Sequence, residues 1–394
     1  MNSQQKGIIL LIKSALTGEK YSLPEQFDVE EACKTARRHQ IVAILYYGAL
    51  NCGVAVELSA MQKMFMETCK LISVNERQKH VLNTVLNKFD EEKIEYMPLK
   101  GVVLKNMYPK SEMRIMSDAD ILIKLNQYEK IRTIMQELEF TEDIESDHEL
   151  IWTKNRILIE LHKRLIPSYN KDYYEYFGDG WKLAQKDERE DSTRYKMSDE
   201  DQMIYLFTHY AKHYRDAGIG IKHIVDLWVY REKVVPLDEN YIITELKKLE
   251  LDEFYKNTMR TLEVWFNDAE ADDITEFITG VIFNSGVYGT QEAKILSAVV
   301  KSSKTQGSYG KARFKKKLDI IFLPYSNMCK KYKILDKVAV LLPVMWVVRW
   351  VEALIFKRKK IKNQKEHLDV MATKRIDDYQ QALNFVGLDF NFKE

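Results

Sequence analysis

The sequence predicts an α+β fold in which a small mixed sheet lies between two helical regions. Residues 1–92 contain few Gly or Pro and repeat apolar residues at helical spacing. Residues 93–197 change to short strand patterns, polar turns and one amphipathic helix, which is typical of a small α/β core. Residues 198–394 return to helical patterns. We therefore expect an N-terminal helical region, an α/β core and a C-terminal helical domain.

Composition restricts the class of protein. The chain has 394 residues, of which 45% are hydrophobic, so it can bury a sizeable core in two or three domains. Its net charge of +1 argues against nucleic acid as a partner, because nucleic-acid binders normally carry a basic excess. Its four cysteines form no Cys-x-x-Cys pair, which argues against a zinc site. The start of the sequence lacks a secretory cleavage pattern, so we expect a cytoplasmic protein.

The N-terminal region contains capped and amphipathic helix patterns. Asp28 precedes two glutamates and an apolar run, which predicts that it caps a helix. A long amphipathic pattern follows from Leu58 to Phe89, and its first half has a predicted buried stripe of Met61, Phe65, Cys69 and Ile72. The stretch Asn75–His80 is polar throughout, so we expect the helix to break or to be exposed there.

The α/β core is predicted from five short strand patterns. They cover residues 94–99, 118–123, 140–145, 149–153 and 157–161. A short helix opens at Gly101, and a clear amphipathic helix covers residues 127–138. This alternation followed by a meander predicts a small mixed sheet.

Asp118 and Asp120 are the strongest candidate metal ligands. Side chains at i and i+2 of a strand point to the same face, so these carboxylates lie side by side. Mg²⁺ binds proteins through one or two carboxylates and takes its remaining ligands from water and phosphates. Glu160 interrupts another apolar strand and is the candidate third acid of a two-metal site. On the residues alone, a strand-start turn and a surface glutamate explain this pattern equally well.

Lys100, Gly101 and Arg114 are candidate phosphate ligands. A glycine at a strand-to-helix turn lets backbone N–H groups approach phosphate oxygens, and Lys100 adds a positive charge. Arg114 precedes Asp118 by four residues in the intervening loop. Taken alone, Lys100-Gly101 is better explained as an ordinary turn with a solvated lysine.

Histidines form a further candidate group. His209 and His213 are four residues apart on one predicted helix face, and His162 and Asp226 are grouped with them as candidate cleft-lining residues. No Glu follows His209 in a His-Glu-x-x-His pattern, which excludes the usual metalloprotease motif. Two partly buried histidines that pack a helix are the favoured interpretation. Lys222 and Asp226 are also spaced as a helical ion pair.

The segment Val338–Phe356 is long and apolar enough to suggest a membrane segment. It contains Pro343, Arg349 and Glu352, which argue against a transmembrane helix. We expect a helix buried in the C-terminal bundle. The alternative is an interfacial helix, with a peripheral membrane contact through residues 338–360, because Lys357–Lys360 is wholly basic.

These residues together carry a family resemblance. The chain resembles the uncharacterised nucleotidyltransferase family of the polymerase-beta-like nucleotidyltransferase superfamily. The residues that carry it are Leu99-Lys100-Gly101, Tyr108, Arg114, Ser117–Ile123 and Ile159–His162, and further similar features are Ala36, His39, His209, His213, Asp226, Leu341–Pro343 and Arg349. An ordered set of motifs over about sixty residues is far more specific than any single one.

The resemblance implies a nucleotidyltransferase core and a reaction. Asp118 and Asp120 would be metal ligands and Glu160 the third acid, with two Mg²⁺ ions or Mn²⁺ as cofactors. The substrate would be an NTP, with ATP expected, and the acceptor a hydroxyl of an unidentified sugar, small molecule, peptide or protein. One departure is that Lys100-Gly101 stands where the superfamily usually has Gly-Ser. The serine hydroxyl that commonly contacts a phosphate is missing, so we expect Lys100 to contact the triphosphate.

Two other functions stay open at this point. One is a non-catalytic nucleotide-binding scaffold, which would bind nucleotide without metal-dependent transfer. The other is a membrane-peripheral component of a surface-polysaccharide or peptide-modification pathway, in which the last third of the chain contacts a membrane.

Overall fold

The computed structural model describes residues 1–188, 192–287, 289–306, 322–323, 325–356 and 373–388. Helices open the chain: α1 (Ser3–Thr17), α2 (Val29–His39), α3 (Val42–Asn51) and α4 (Ser59–Glu91). The predicted cap of α2 is confirmed, because the Asp28 side chain accepts hydrogen bonds from the backbone N–H groups of Glu30 and Glu31.

The long helix α4 differs from its prediction in two ways. Phe65, Cys69 and Ile72 of the predicted buried stripe are exposed. The helix is continuous through residues 75–80, where residues 76, 77, 79 and 80 are exposed as expected but the other two are not. Its buried face instead includes Asn75 and Gln78, whose amides donate to Ser111 Oγ at 2.6 Å and to the Met116 carbonyl at 2.8 Å. The polar residues are therefore buried because they hydrogen-bond to the loop that leads into the sheet, a contact that periodicity does not reveal.

The central sheet is mixed, as predicted. Its elements follow one another as β1 (Tyr96–Pro98), α5 (Lys100–Leu104), β2 (Asp118–Ile123), α6 (Tyr128–Glu137), β3 (Thr141–Glu145), β4 (Glu149–Lys154) and β5 (Ile157–His162). The order across the sheet is β1-β2-β5-β4-β3. The β2–β5 pair is parallel and the other neighbours are antiparallel. The α+β class predicted from the sequence is confirmed.

Helices dominate the rest of the described chain. A short helix, α7 (Lys171–Phe177), and a ribbon of β6 (Gln185–Lys186) and β7 (Tyr195–Lys196) come first. The helices that follow are α8 (Asp199–Ala217), α9 (Ile221–Lys233), α10 (Glu239–Lys248), α11 (Asp252–Phe266), α12 (Asp273–Ser285), α13 (Gln291–Gln306), α14 (Tyr325–Lys331), α15 (Leu342–Phe356) and α16 (Thr373–Phe385).

Two hydrophobic clusters hold these elements together. The smaller cluster lies between the sheet, α4 and α6, and Phe89, Ile121 and Trp152 are among its buried members. The larger cluster contains residues of α1 to α3, such as Ile12, together with residues of α8 and α11, such as Phe207. The two helical ends of the chain thus share one core. The division at residues 92 and 197 stays a prediction.

The C-terminal apolar segment was predicted to be buried in the bundle, and the structure shows that residues 338–349 are not buried. Every residue from Val338 to Arg349 is exposed or half-buried. The basic run 357–360 lies outside the described residues. Among the residues that the structure describes, no helix combines the length and the apolar character that crossing a bilayer requires.

Candidate active site

The three candidate acids lie on two adjacent parallel strands. Asp118 and Asp120 begin β2, and Asp120 lies directly opposite Glu160 of β5 in the strand register. Opposed residues of paired strands point to the same face of a sheet, so Glu160 joins the face that Asp118 and Asp120 share. Asp120 is buried, and the other two carboxylates are half-buried.

Asp120 is held by two basic side chains. Lys100 Nζ donates to Asp120 Oδ1 at 2.8 Å, and His162 Nε2 lies 2.7 Å from the same oxygen. Burial by itself would raise the pKa of Asp120, but Lys100 and His162 outweigh burial and hold this pKa well below its usual range. Asp120 is therefore ionised at neutral pH.

The pKa values of Glu160 and Asp118 shift upward, in the opposite direction to that of Asp120. Burial, followed by the charges of Asp118 and Asp120, raises the pKa of Glu160 to about 8. Burial and the charge of Asp120 also raise the pKa of Asp118. Carboxylates so close together repel one another when ionised, and a bound cation relieves this repulsion.

The donor set fits a divalent cation. One ligand atom from each of Asp120, Glu160 and His162 lies within 4.8 Å of the others. Burial lowers the pKa of His162, so its ring is neutral and can coordinate. Its Nδ1 is buried and has no hydrogen-bond partner among the described residues. Carboxylate oxygens suit Mg²⁺, and an added imidazole suits a transition metal such as Mn²⁺.

Lys100 and Gly101 form the first turn of α5, beside the acids. Lys100 has a φ of +40°, in the left-handed region that side chains other than glycine rarely adopt. Such backbone conformations concentrate at functional sites. Gly101 is buried, and a Cβ placed on it would approach Met116 Cγ to 3.1 Å. The turn therefore presents the lysine to the carboxylates while its glycine packs against the loop before β2.

Arg114 and Asp226 form a buried ion pair. Arg114 Nε donates to Asp226 Oδ1 at 2.6 Å, and the Tyr108 hydroxyl donates to the same oxygen at 2.7 Å. Burial lowers the pKa of Arg114, but Asp226 outweighs it and the net shift is upward. Residues more than 110 positions apart are thus joined, so the loop before β2 is tied to α9 at the edge of the cleft.

Histidines of α8 and α9 line the same cleft as the acids. The ring centroids of His209 and His213 are 4.4 Å apart, and those of His213 and His223 are 6.3 Å apart. Burial lowers the pKa of His213 to about 3 and moves the pKa values of His209 and His223 well below 6.5. All three rings are therefore neutral at pH 7. The sequence reasoning missed His223 because it belongs to a different helix.

One cleft of about 480 Å³ collects these groups. The predicted site residues that line it are Lys100, Gly101, Arg114, Asp118, Asp120, Glu160, His209, His213 and Asp226. His162 is buried next to Asp120 rather than in the lining. The sequence reasoning missed His148, Glu149, Lys212 and Lys294 as lining residues, because only the packing of the β3–β4 hairpin, α8 and α13 brings them there.

Lys222 adds a buried cation to this cleft. Its Nζ donates to Gln40 Oε1 at 3.2 Å, whereas Asp226 accepts from Tyr108 and Arg114, so these contacts replace the predicted helical ion pair. Burial and, after it, the charge of Arg114 lower the pKa of Lys222 to about 8. An anion in the cleft would stabilise this ammonium group.

Comparison with known proteins shows the family of the chain. A model of the family described as "uncharacterised nucleotidyltransferase" matches residues 25–267, more than half of the chain. Among solved structures, that of the antibiotic-resistance factor ANT(2'')-Ia is similar at 14% identity, with a TM-score of 0.31, over 50% of this chain and 100% of that one. No curated protein matches the chain. Because this family match covers more than half of the chain, the chain belongs to the uncharacterised nucleotidyltransferase family.

Proposed function

We propose that this protein transfers a nucleoside monophosphate from an NTP, with ATP expected, to an acceptor hydroxyl with release of pyrophosphate. The observation that carries the proposal is one cleft with carboxylates on its sheet wall and lysines on its helical wall. Such a cleft combines the two requirements of phosphoryl chemistry, which are metal ligands and cations that hold phosphates.

Asp118, Asp120 and Glu160 would hold two Mg²⁺ ions, or Mn²⁺, with His162 as a further donor. When bound, these ions lower the pKa of an attacking hydroxyl and offset the charge of the phosphates. Glu160 would also help to deprotonate the acceptor hydroxyl once a bound cation has displaced its own proton, which it holds below about pH 8 in the metal-free protein.

Lys100, Lys222 and Arg114 would hold the triphosphate. Lys222 is the best placed, since its ammonium group is buried and the side chain to which it donates, Gln40, carries no charge. Lys100 would exchange Asp120 for a phosphate oxygen when nucleotide enters. Arg114 keeps its orientation through Asp226 and contributes its charge from the cleft wall.

The acceptor is proposed as a sugar, small molecule, peptide or protein. The near-neutral net charge of the chain argues against nucleic acid. A cytoplasmic location, which an NTP substrate would suit, stays a prediction.

The test is incorporation of α-labelled nucleotide from each of the four NTPs into cell lysate, followed by mass spectrometry of the labelled product. Asp118→Asn and Asp120→Asn should each lose at least about a thousandfold in rate, because both remove a metal ligand. Asp143→Asn, at the exposed far edge of the same sheet, is the matched control. Circular dichroism should show that all three variants are folded. Activity retained in both cleft variants would contradict the proposal. Nucleotide binding that does not depend on Mg²⁺ would favour the non-catalytic nucleotide-binding scaffold.

A further inference from the structure

The segment around α15 carries an exposed apolar stripe. The exposed fractions of Val340, Val344 and Val347 are 84%, 56% and 52%. Their spacings of four and three residues place them on one side of the turn and helix that contain them. Contiguous exposed apolar surface of this kind marks an interaction site in a folded protein.

The side of α15 opposite the valines packs on residues that precede the helix in the chain. Trp346, about half a helical turn away from Val344, donates from Nε1 to the Leu323 carbonyl at 2.9 Å and has a T-shaped ring contact with Phe322 at 5.1 Å. Met328 and Leu335 are fully buried within the segment, but they belong to neither of the two hydrophobic clusters. Local packing therefore occupies the side of the helix that carries Trp346 and leaves the valine stripe exposed.

Positive charge is concentrated in the part of the sequence that contains this stripe. The sequence from residue 330 to residue 360 contains nine Lys or Arg and two acidic residues, in a chain whose net charge is only +1. Lys333 and Lys337 are exposed just before the valines. The run Lys357–Lys360, which lies outside the described residues, continues the sequence directly after α15.

We propose that the surface formed by Lys333, Lys337, Val338, Val340, Val344, Val347 and Val348 docks on an anionic lipid bilayer. Aliphatic side chains that enter the headgroup boundary, with cations beside them, are the usual features of an interfacial helix. A protein partner would more commonly meet aromatic and mixed-charge surface than a stripe of valines with a basic border. In this proposal the helix lies on the bilayer surface, with its valines at the headgroup boundary. The docking is independent of the proposed transferase reaction.

Flotation of the full-length protein with vesicles tests the surface. We expect the protein to float with vesicles of phosphatidylcholine and phosphatidylglycerol at 3:1, and not with phosphatidylcholine alone. The double variant Val344→Glu/Val347→Glu should lower the bound fraction at least tenfold. Lys333→Gln/Lys337→Gln should weaken binding by about fivefold per lysine and reduce its sensitivity to salt.

A matched control distinguishes vesicle binding through this surface from nonspecific binding of exposed apolar residues. Val56→Glu changes a valine that is 53% exposed but lies elsewhere in the chain, and it should leave flotation unchanged. Equal flotation of the Val344→Glu/Val347→Glu variant and the unmodified protein would overturn the proposal. So would sedimentation as a dimer that this variant abolishes, because the stripe would then bind a second copy of the chain.

Discussion

Lys100 Nζ lies 2.8 Å from Asp120 Oδ1, so the cleft of this nucleotidyltransferase-family protein contains its own cation at the carboxylate that a metal would need. The same oxygen contacts His162 Nε2 at 2.7 Å. The left-handed φ of +40° at Lys100 is the backbone conformation in which this contact is made. We infer that the lysine neutralises Asp120 until nucleotide and metal enter together.

Removing this lysine should strengthen the binding of metal alone. Hydrogen bonds to charged groups are worth about 1.5–3 kcal/mol, so Lys100→Met should bind Mn²⁺ roughly tenfold or more tightly in the absence of nucleotide. Its KM for NTP should rise, because a phosphate contact is lost. Isothermal titration with Mn²⁺ measures the first effect. Lys105→Met, whose lysine lies near Gln78 instead of the acids, is the control. Unchanged Mn²⁺ affinity in Lys100→Met would show that the lysine does not compete with metal.

Metal binding should release a proton from Glu160. The pKa of this carboxyl in the metal-free protein is raised to about 8, so the group holds a proton below that pH and a cation must displace it. Metal affinity should therefore fall as pH drops below 8, by about tenfold per pH unit. Titration in two buffers of different ionisation enthalpy counts the released proton. Glu160→Gln should bind metal more weakly and lose this pH dependence, and an unchanged slope would contradict the assignment.

The Arg114–Asp226 pair should be important for stability. Asp226→Asn leaves a buried guanidinium without its counter-charge, which typically costs about 3–5 kcal/mol of the free energy of unfolding. Tyr108→Phe removes only one neutral donor to the same carboxylate oxygen and should cost less, about 1.5–3 kcal/mol. Urea unfolding measures both. Glu253→Gln, which changes an exposed pair with Lys256, should stay within about 1 kcal/mol. If Asp226→Asn lowered the free energy of unfolding no more than this control does, the Arg114–Asp226 pair would be solvated.

His39 should make the protein sensitive to acid. It is fully buried, its Nδ1 accepts a hydrogen bond from the Ile221 backbone N–H, and burial with the charge of Arg38 lowers its pKa to about 4. The unfolded chain binds this proton at a higher pH, near 6.5, so stability is fully present above 6.5 and is lost as pH falls toward 4.

The loss from this group amounts to roughly 3 kcal/mol at most. Urea midpoints of His39→Gln should depend less on pH between 6.5 and 4 than those of the unmodified protein. His80→Gln, on the exposed face of α4, should keep the original dependence. Equal slopes for all three proteins would place the acid sensitivity elsewhere.

The sequence by itself determined the local features. Short strand patterns between polar turns predicted the strands of the sheet, and the Asp118-x-Asp120 spacing put two carboxylates on one face, because strand geometry depends only on neighbours in the chain. The same holds for the helix that carries His209 and His213. An ordered set of such local motifs was enough to indicate the family.

The tertiary structure alone decided which of these features meet. Parallel pairing of β2 with β5 sets the register that puts Glu160 beside Asp120, and helix packing sets the contact of Arg114 with Asp226 across 112 residues. It also decided that polar Asn75 of α4 is buried and that Val344 of α15 is exposed. Burial at these positions depends on which distant partner supplies a hydrogen bond or apolar contact, and sequence periodicity carries no information about that partner.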